Sequence, residues 1–335
     1  VPMTQRYDRQ MRYEPFGKYG QAQLQQTHVM IMGAGALGSQ CAELLTRMGV
    51  GQLTIIDMDI VEESNLHRQA TYVEADATQM LPKVEALKVH LGQINSEVQV
   101  QALYQEITNT NIEALLCQHQ PDIVLDGMDH FAIRYLINEV CHKLGVPWIY
   151  GAAVGSKGTV YAIDYHGPCL KCMLGTTPST GESCAINGVL PPAIHQVASM
   201  EVSELLRWLS GKGFSRKLTT MDCYTMQYKT LNIDTLKNNN CPICNEGNYE
   251  YLNMAQQNSI EKQCGNVFLL RFTPQIFKYT DLLPVKVMKS NYFAKMISYR
   301  DYEITLFKDG RMNVYGIENE DQAVALYEEF LKCLK

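Results

Sequence analysis

The chain has 335 residues, of which 46% are hydrophobic and 19% are charged, and its formal net charge is -6. This composition is that of an ordinary globular protein with one large and one smaller domain, and the mild acidic balance gives no sign of a nucleic-acid surface. No apolar run approaches the ~20 residues that span a bilayer, and the polar start, VPMTQRYDRQ, is unlike a signal peptide. We therefore expect a cytoplasmic protein that binds neither nucleic acid nor membrane.

Strands and helices alternate along the first 165 residues. The apolar run 28–32 (HVMIM) predicts a buried strand, the glycine turn after it leads into a helix ended by Gly49, and 53–57 (LTIID) predicts the next strand. This order is one βαβ unit. The alternation continues through predicted helices at 81–94, 111–119 and 131–145 and predicted strands at 98–104, 122–129 and 147–154. We therefore expect an α/β fold with a Rossmann-like, doubly wound and largely parallel sheet.

The pattern changes after the fifth strand. Residues 157–165 (KGTVYAIDY) alternate like an exposed strand, and residues 166–190 have the composition of a long loop, which is usually functional or mobile. An amphipathic helix is predicted within 192–211, and two strands are predicted within 217–233. These strands predict an antiparallel extension of the sheet.

A shift in composition around residues 245–265 predicts a domain boundary. We expect a first domain of residues 1–248 and a small α+β domain of residues 249–335. The smaller domain contains a predicted strand (VFLLRF), a hairpin that turns at Asp309-Gly310 and a final helix (NEDQAVALYEEFLKCL). It shows no catalytic signature, and its role stays open at this point.

Gly33, Gly35 and Gly38 match the pattern G-x-G-x-x-G of nucleotide-binding turns. Such a turn lets phosphate oxygens reach backbone N–H groups at a helix N-terminus, where the helix dipole favours negative charge. Asp57, at the end of the second strand, is placed to accept hydrogen bonds from ribose hydroxyls. The turn alone favours NAD, but it does not decide which nucleotide is bound.

Several charged residues favour ATP over a dinucleotide. Asn65 and Arg68 follow the acidic strand end, Lys83 starts the next helix, and an N-terminal arginine adds a further cation. A triphosphate under attack needs this charge, because negative charge shifts onto the departing pyrophosphate. Asp129 follows the fourth strand, where a carboxylate suits Mg2+. Taken singly, Arg68 fits a surface salt bridge, Lys83 a solvated helix start and Asp129 a helix N-cap.

The cysteines predict a metal site. The chain has 11 of them, an odd number that argues against a closed disulfide framework. Cys169 and Cys172 form CLKC, and Cys241 and Cys244 form CPIC. Two such pairs predict structural zinc with four thiolate ligands and no open position. A redox Cys-x-x-Cys motif is the alternative, but it does not explain the second pair.

The motifs RYDRQ, GAGALGS, DMDIVEESNLHRQ, PKVEAL and GMDH occur together with the two cysteine pairs and the cysteine of GESC. On these motifs, residues 5–250 resemble the MoeB/ThiF family, the bacterial relatives of ubiquitin-activating enzymes. The resemblance implies an ATP-dependent adenylyltransferase that activates the C-terminal glycine of a ubiquitin-like sulfur-carrier protein and releases pyrophosphate. The carrier would end in Gly-Gly and be of the MoaD or ThiS type, for molybdopterin or thiamine thiazole synthesis.

The resemblance also implies roles for particular residues. ATP would be bound by Gly33, Gly35, Gly38, Asp57, Asn65, Arg68 and Lys83. Asp129 would bind the Mg2+ that accompanies ATP and be essential for adenylation, and Arg9 would reach the phosphates held by the other subunit of a homodimer. The family often has Asp-Asn where this chain has Asp129-His130, which leaves the role of His130 open.

Cys184 lies in a segment rich in Gly, Ser and Thr, TPSTGESCAINGV. A thiol on a flexible segment can attack an adenylate, and the resemblance to ThiF implies a thiol that links to the sulfur carrier. In MoeB-like relatives the corresponding cysteine is dispensable for adenylation. A loop cysteine without a role is the alternative.

Two other functions compete with the adenylyltransferase. The first is an NAD(P)-dependent oxidoreductase with structural zinc, and the second is a non-catalytic nucleotide-binding scaffold whose C-terminal unit binds partners. Residues 250–335 lack the cysteine-centred loop of a rhodanese domain, so sulfur donation from this tail is not expected. The sequence does not choose between MoaD and ThiS.

Overall fold

The computed structural model describes residues 6–175, 188–255, 258–263 and 267–334. The chain forms two compact units. The first consists of Val1–Glu74 and Pro82–Met254, and the second of Ala75–Leu81 and Ala255–Lys335. A short segment from the first quarter of the sequence therefore belongs to the C-terminal unit. In the described part of the chain, no helix combines the length and apolar character needed to cross a bilayer.

The first unit is built on an eight-stranded sheet with the order β3-β2-β1-β4-β5-β6-β7-β8. Strands β1 to β5 are parallel, and β6 to β8 are antiparallel. The strands are β1 His28–Met32, β2 Gln52–Asp57, β3 Gln99–Tyr104, β4 Ile123–Asp126, β5 Trp148–Val154, β6 Lys157–Ile163, β7 Lys217–Asp222 and β8 Gln227–Asn232. The predicted Rossmann-like sheet with an antiparallel extension is confirmed.

Helices connect these strands and cover the sheet. They are α1 Asp8–Met11, α2 Gly17–Gln26, α3 Ala36–Met48, α5 Lys83–Ile94, α6 Ile112–His119, α7 Phe131–Leu144, α8 Leu170–Leu174, α9 Pro191–Arg207 and α10 Pro242–Glu246. Helix α4, Glu74–Thr78, lies between α3 and α5 in sequence, but all of its residues except Glu74 belong to the second unit. Helix α3 ends where Gly49 adopts a φ of +86°, as the sequence predicts. Val29, Met30, Ile31 and Met32 are all fully buried. Since neighbouring side chains of a strand point to opposite faces, both faces of β1 are covered.

The register of the central strands brings three loops to one edge of the sheet. Met32 pairs with Ile56 on one side and with Asp126 on the other. The glycine turn, the chain after Asp57 and the loop that carries Asp129 therefore leave the sheet at the same level. This edge is the carboxyl end of the parallel strands, where open α/β sheets bind ligands.

Strand β6 differs from the sequence prediction. Residues 157–165 were expected to form an exposed strand, but five of the seven residues of β6 are buried. The reason is its place in the sheet, because β6 pairs with β5 on one side and with β7 on the other. In contrast, every residue of the edge strand β8 is exposed.

The second unit contains a six-stranded antiparallel sheet with the order β11-β12-β13-β14-β10-β9. Its elements are β9 Ile260–Lys262, β10 Val267–Arg271, α11 Gln275–Lys278, β11 Lys286–Ser290, β12 Ala294–Tyr299, β13 Tyr302–Phe307, β14 Arg311–Tyr315 and α12 Glu320–Cys333. The hairpin at Asp309-Gly310 and the final helix are confirmed, and the Asn319 side chain caps that helix. Strands β9, β11 and β12 were not predicted.

Candidate nucleotide site and metal centre

The three glycines of the turn occupy their positions for different structural reasons. Gly33 has a φ of +99°, and a Cβ there would lie 2.5 Å from the carbonyl oxygen of Gly127. A Cβ on Gly38 would lie 1.8 Å from the carbonyl oxygen of Gly33. These two positions are fixed by close backbone packing. At Gly35, the N-cap of α3, a Cβ would approach only the Gln69 side chain, at 3.8 Å. The space beside the Gly35 Cα is therefore open, which allows an anion to approach the backbone there.

Asp57 holds the shape of this turn. One of its carboxylate oxygens accepts a hydrogen bond from the Ala34 N–H at 2.7 Å, and the other accepts from the Asp59 N–H at 2.8 Å. Burial raises the pKa of Asp57, and the positive charge of Lys83 opposes that rise. An ionised carboxylate has about four acceptor sites, so Asp57 keeps capacity for ribose hydroxyls after making both backbone contacts.

Lys83 is a buried cation at the edge of the sheet. Its side chain is only 9% exposed, and its ammonium lies 3.4 Å from a carboxylate oxygen of Asp59. Burial disfavours the charged form, but the nearby carboxylates of Asp59 and Asp57 outweigh burial and raise the pKa of Lys83. The lysine is therefore not a solvated helix start. Its charge is kept at neutral pH in a place where water is largely excluded.

Asn65 and Arg68 lie on one turn after β2. The Asn65 side chain is buried and accepts a hydrogen bond from the backbone N–H of Glu62 at 3.2 Å. The Arg68 guanidinium donates to the carbonyl oxygen of Ser64 at 2.8 Å and makes no ion pair among the described residues. The surface salt bridge considered for Arg68 is thus not seen, and most of its hydrogen-bond donors remain for a ligand.

Asp129 is exposed near the end of the loop between β4 and α7. His130 lies 3.0 Å from its carboxylate through Nδ1, and this hydrogen bond holds the pKa of Asp129 down at about 2. The positive charges of His130, Arg134 and Lys83 add to the shift. The N-cap position of α7 belongs to His130, so Asp129 is not the helix cap. The structure thus gives His130 a contact that the sequence left open.

The sequence prediction missed a buried ion pair beneath this loop. Arg134 and Asp126 are 2.7 Å apart, with side chains 5% and 0% exposed. Arg134 also donates to the carbonyl oxygens of Met128 at 2.6 Å and Gly151 at 2.8 Å. The pair therefore fixes the backbone just before Asp129. Its only sequence signal is one arginine within the apolar helix FAIRYLI.

Two predicted site residues are not joined to this cluster by the structure. Arg9 is exposed on α1 and has no hydrogen bond or ion pair with the described residues of the nucleotide site. Helix α1 is anchored by its neighbour Tyr7, which is buried and receives a hydrogen bond from Asn95 at 2.8 Å. Cys184 lies outside the described residues.

The two Cys-x-x-Cys pairs come together as predicted. The sulfur atoms of Cys169, Cys172, Cys241 and Cys244 all lie within 4.8 Å of one another. Three sulfur pairs, 169–172, 169–241 and 172–244, are 3.8 Å apart. All nine cysteines that the structure describes are free thiols. This four-thiol cluster can hold a metal ion. It brings α8 next to α10, although Cys169 and Cys241 are 72 residues apart in the sequence.

Comparison with known proteins finds a single family over most of the first unit. The model of the ThiF family matches residues 7–243. The sulfur carrier protein ThiS adenylyltransferase of Bacillus subtilis is 34% identical over 98% of this chain and 100% of its own length. The molybdopterin-synthase adenylyltransferase of Escherichia coli is 32% identical over 72% of this chain and 96% of its own length.

Solved structures agree on the fold. The crystal structure of Escherichia coli MccB with ATP has a TM-score of 0.60 at 22% identity and covers 72% of this chain and 74% of MccB. The complex of MccB with MccA-N7isoASN has a TM-score of 0.62 and covers 74% of this chain and 76% of MccB.

Proposed function

The chain belongs to the ThiF family, and we propose from this that it is an adenylyltransferase that uses ATP to activate the C-terminal glycine carboxylate of a ubiquitin-like sulfur-carrier protein. The observation that carries the proposal is the match, over nearly its whole length, to a ThiS adenylyltransferase. The open space at Gly35 and the buried cation Lys83 support it. We assign adenylation to residues 1–248.

The reaction needs charge neutralisation more than proton transfer. A carboxylate oxygen of the carrier attacks the α-phosphorus of ATP and forms the acyl–phosphate bond. The bond between the α-phosphorus and the oxygen that bridges it to the β-phosphorus breaks. Pyrophosphate leaves with the electron pair. The glycine carboxylate is already ionised near neutral pH, so no general base is required. Since two anions approach each other, cations must surround the phosphates.

The chain's own residues supply this environment. We assign Gly33, Gly35 and Gly38 to the phosphate turn, and Asp57 and Asn65 to nucleotide contacts. Lys83 and Arg68 would neutralise the charge that develops on pyrophosphate. Asp129 would hold Mg2+, which when bound shields the phosphate oxygens. The depressed pKa of Asp129 keeps it anionic at neutral pH and so suits this role.

Zinc is the metal that fits the four-cysteine cluster. A tetrahedral site with Zn–S bonds of about 2.3 Å has sulfur–sulfur edges of about 3.8 Å, and three of the observed sulfur pairs have that separation. Four thiol ligands leave no open position, so the zinc would be structural. It would fasten the chain after β6 to the end of the first unit.

We propose that the carrier is of the ThiS type, for thiamine thiazole synthesis. The ThiS adenylyltransferase matches both units of this chain, whereas the molybdopterin-synthase relative matches only 72% of it. A MoaD-type carrier is the second candidate. We further propose that two copies form a homodimer in which Arg9 reaches the partner's phosphates, that Cys184 acts after adenylation, and that the thiol-rich chain works in the reducing cytoplasm.

ATP–pyrophosphate exchange tests the proposal. Purified chain with Mg-ATP is assayed with a ThiS-type carrier, a MoaD-type carrier and each carrier without its last glycine. Exchange should require an intact Gly-Gly end and be strongest with the ThiS type. Binding of NADH without exchange would instead favour the oxidoreductase, which the named relatives do not support. Nucleotide binding with neither activity would favour a non-catalytic scaffold.

A further inference from the structure

The C-terminal unit contains seven residues from the first quarter of the sequence. Ala75–Leu81 belong to this unit although they lie in the sequence between Arg68 and Lys83. Those two cations are the ones assigned above to the pyrophosphate. The unit therefore includes part of the chain that connects two residues of the nucleotide site.

This connecting segment ends in a strained helix cap. The backbone N–H of Leu81 donates to the Asp76 carbonyl and that of Met80 to the Ala77 carbonyl, both at 3.1 Å, in the pattern of a Schellman motif. Met80 occupies the left-handed position, with a φ of +50°. Glycine normally takes this position, because a side chain makes it unfavourable. A contact from outside the helix can offset this cost.

Two residues of the β11–β12 hairpin provide that contact. The Asn291 amide donates to the carbonyl oxygens of Gln79 at 2.8 Å and Met80 at 2.9 Å. The Lys289 ammonium donates to the carbonyl oxygen of Thr78. Thr78 is the last residue of α4, and Gln79 and Met80 follow it directly, so no helical N–H satisfies these carbonyls. A cation is favourable at that end of the helix dipole.

Asn291 is itself held rigidly. Its side-chain oxygen accepts hydrogen bonds from the N–H groups of Phe293 at 2.7 Å and Ala294 at 2.8 Å. The amide oxygen thus shapes the hairpin turn, and the amide nitrogen holds the cap of α4. The two functions sit on different atoms of one side chain, so a substitution can separate them.

The held segment leads directly into the nucleotide site. Pro82 follows Leu81 and pairs with Ile60 in an isolated bridge. The Lys83 N–H then donates to the Asp59 carbonyl at 2.9 Å, and the Lys83 ammonium faces the Asp59 carboxylate. Only two peptide bonds separate Leu81 from Lys83. A displacement of the cap therefore also displaces the backbone of Lys83.

We propose that Asn291 and Lys289 are positioning residues for adenylation, and that the C-terminal unit holds Lys83 in place through the cap at residues 78–81. This gives the C-terminal unit a function within the reaction. The inference rests on the proposed function, because it takes Lys83 to be a phosphate ligand.

The test uses the full-length chain with the substitution Asn291→Asp. This change keeps an oxygen for Phe293 and Ala294 but removes the amide donor and places negative charge against the Gln79 and Met80 carbonyls. We expect the Kd for Mg-ATP to rise about tenfold, the factor that corresponds to about 1.4 kcal/mol. The KM for the carrier should stay unchanged, and the variant should remain folded, although the loss of two hydrogen bonds lowers its melting temperature. Lys286→Ala, at the other end of β11, is the matched control and should bind ATP like the unaltered chain.

A double-substitution cycle with Lys83→Ala identifies the route. If Asn291 acts through Lys83, the double variant Asn291→Asp/Lys83→Ala should have the same Kd for ATP as the single variant Lys83→Ala. An equal tenfold rise in both backgrounds, or an unchanged Kd in the folded single variant, overturns the inference. If the single variant fails to fold, Lys289→Ala is measured in the same cycle. Normal exchange and normal ATP binding in Lys83→Ala would instead overturn the site assignment, which is a separate outcome.

Discussion

Replacing Arg134 with methionine should destabilise the first unit strongly. The substitution keeps most of the side-chain volume but leaves the Asp126 carboxylate, which is fully buried, without its charged partner. It also removes the donors to the Met128 and Gly151 carbonyls. Breaking a buried ion pair from one side costs about 3–5 kcal/mol. We expect the free energy of unfolding of the first unit to fall by that amount.

The loss should depend on pH with a defined sign. Burial already raises the pKa of Asp126 in the intact pair, and Arg134 opposes that rise. Without the arginine the folded-state pKa rises further above the unfolded value of about 3.9. Below the unfolded-state pKa, the protonated Asp126 carboxyl adds its full contribution to the stability of the folded variant. This stability is lost as the pH rises through the folded-state pKa. The variant is therefore closer to the unaltered chain at about pH 5 than at about pH 8.

Urea unfolding followed by tryptophan fluorescence measures this loss. Both tryptophans, Trp148 and Trp208, lie in the first unit, so the signal reports on that unit. Adding Asp126→Asn should recover part of the stability, because it removes the buried charge. The control Arg47→Met breaks an exposed pair with Glu43 and should cost no more than about 1 kcal/mol. A loss of that small size for Arg134→Met, or one without pH dependence, would refute the reasoning.

Three further outcomes follow from the site. Asp129→Ala should reduce ATP–pyrophosphate exchange by about a hundredfold or more, as for loss of a charge-stabilising group. The circular dichroism spectrum and the melting temperature should stay unchanged. Retained exchange would mean that Mg2+ is held elsewhere. Cys244→Ser should lower the zinc content, measured by atomic absorption, and the melting temperature, as expected for loss of a structural zinc ligand; full zinc occupancy with unchanged melting would contradict the four-cysteine site. Cys184→Ser should leave exchange intact and impair only sulfur transfer to the carrier, so loss of exchange itself would contradict the role assigned to this thiol.

Local patterns predicted the nucleotide-binding half well. The run HVMIM and the helix ended by Gly49 agree with β1 and α3 to within three residues, because hydrophobic periodicity and a glycine cap are encoded locally. The pairing of CLKC with CPIC was also predictable, since four thiols with that spacing have few other uses. Here the sequence signal and the tertiary structure point to the same answer.

Features that depend on distant partners were not predictable. Strand β11 (KVMKS) has a bulge between Val287 and Lys289, all of its residues are exposed, and it is defined by pairing with β12. Burial of β6 depends on neighbours on both sides. The assignment of residues 75–81 to the C-terminal unit arises from contacts made more than 200 residues away. The hydrophobic periodicity of a short segment does not indicate which distant residues it will contact.

Mass spectrometry of the carrier protein tests the central claim most directly. The chain is incubated with Mg-ATP and a ThiS-type carrier, and the intact carrier is then weighed. The account predicts a carrier heavier by one AMP, with the adduct on its terminal glycine and an equal amount of pyrophosphate released. A carrier that binds the folded, zinc-loaded chain but gains no AMP while ATP stays intact would contradict the account.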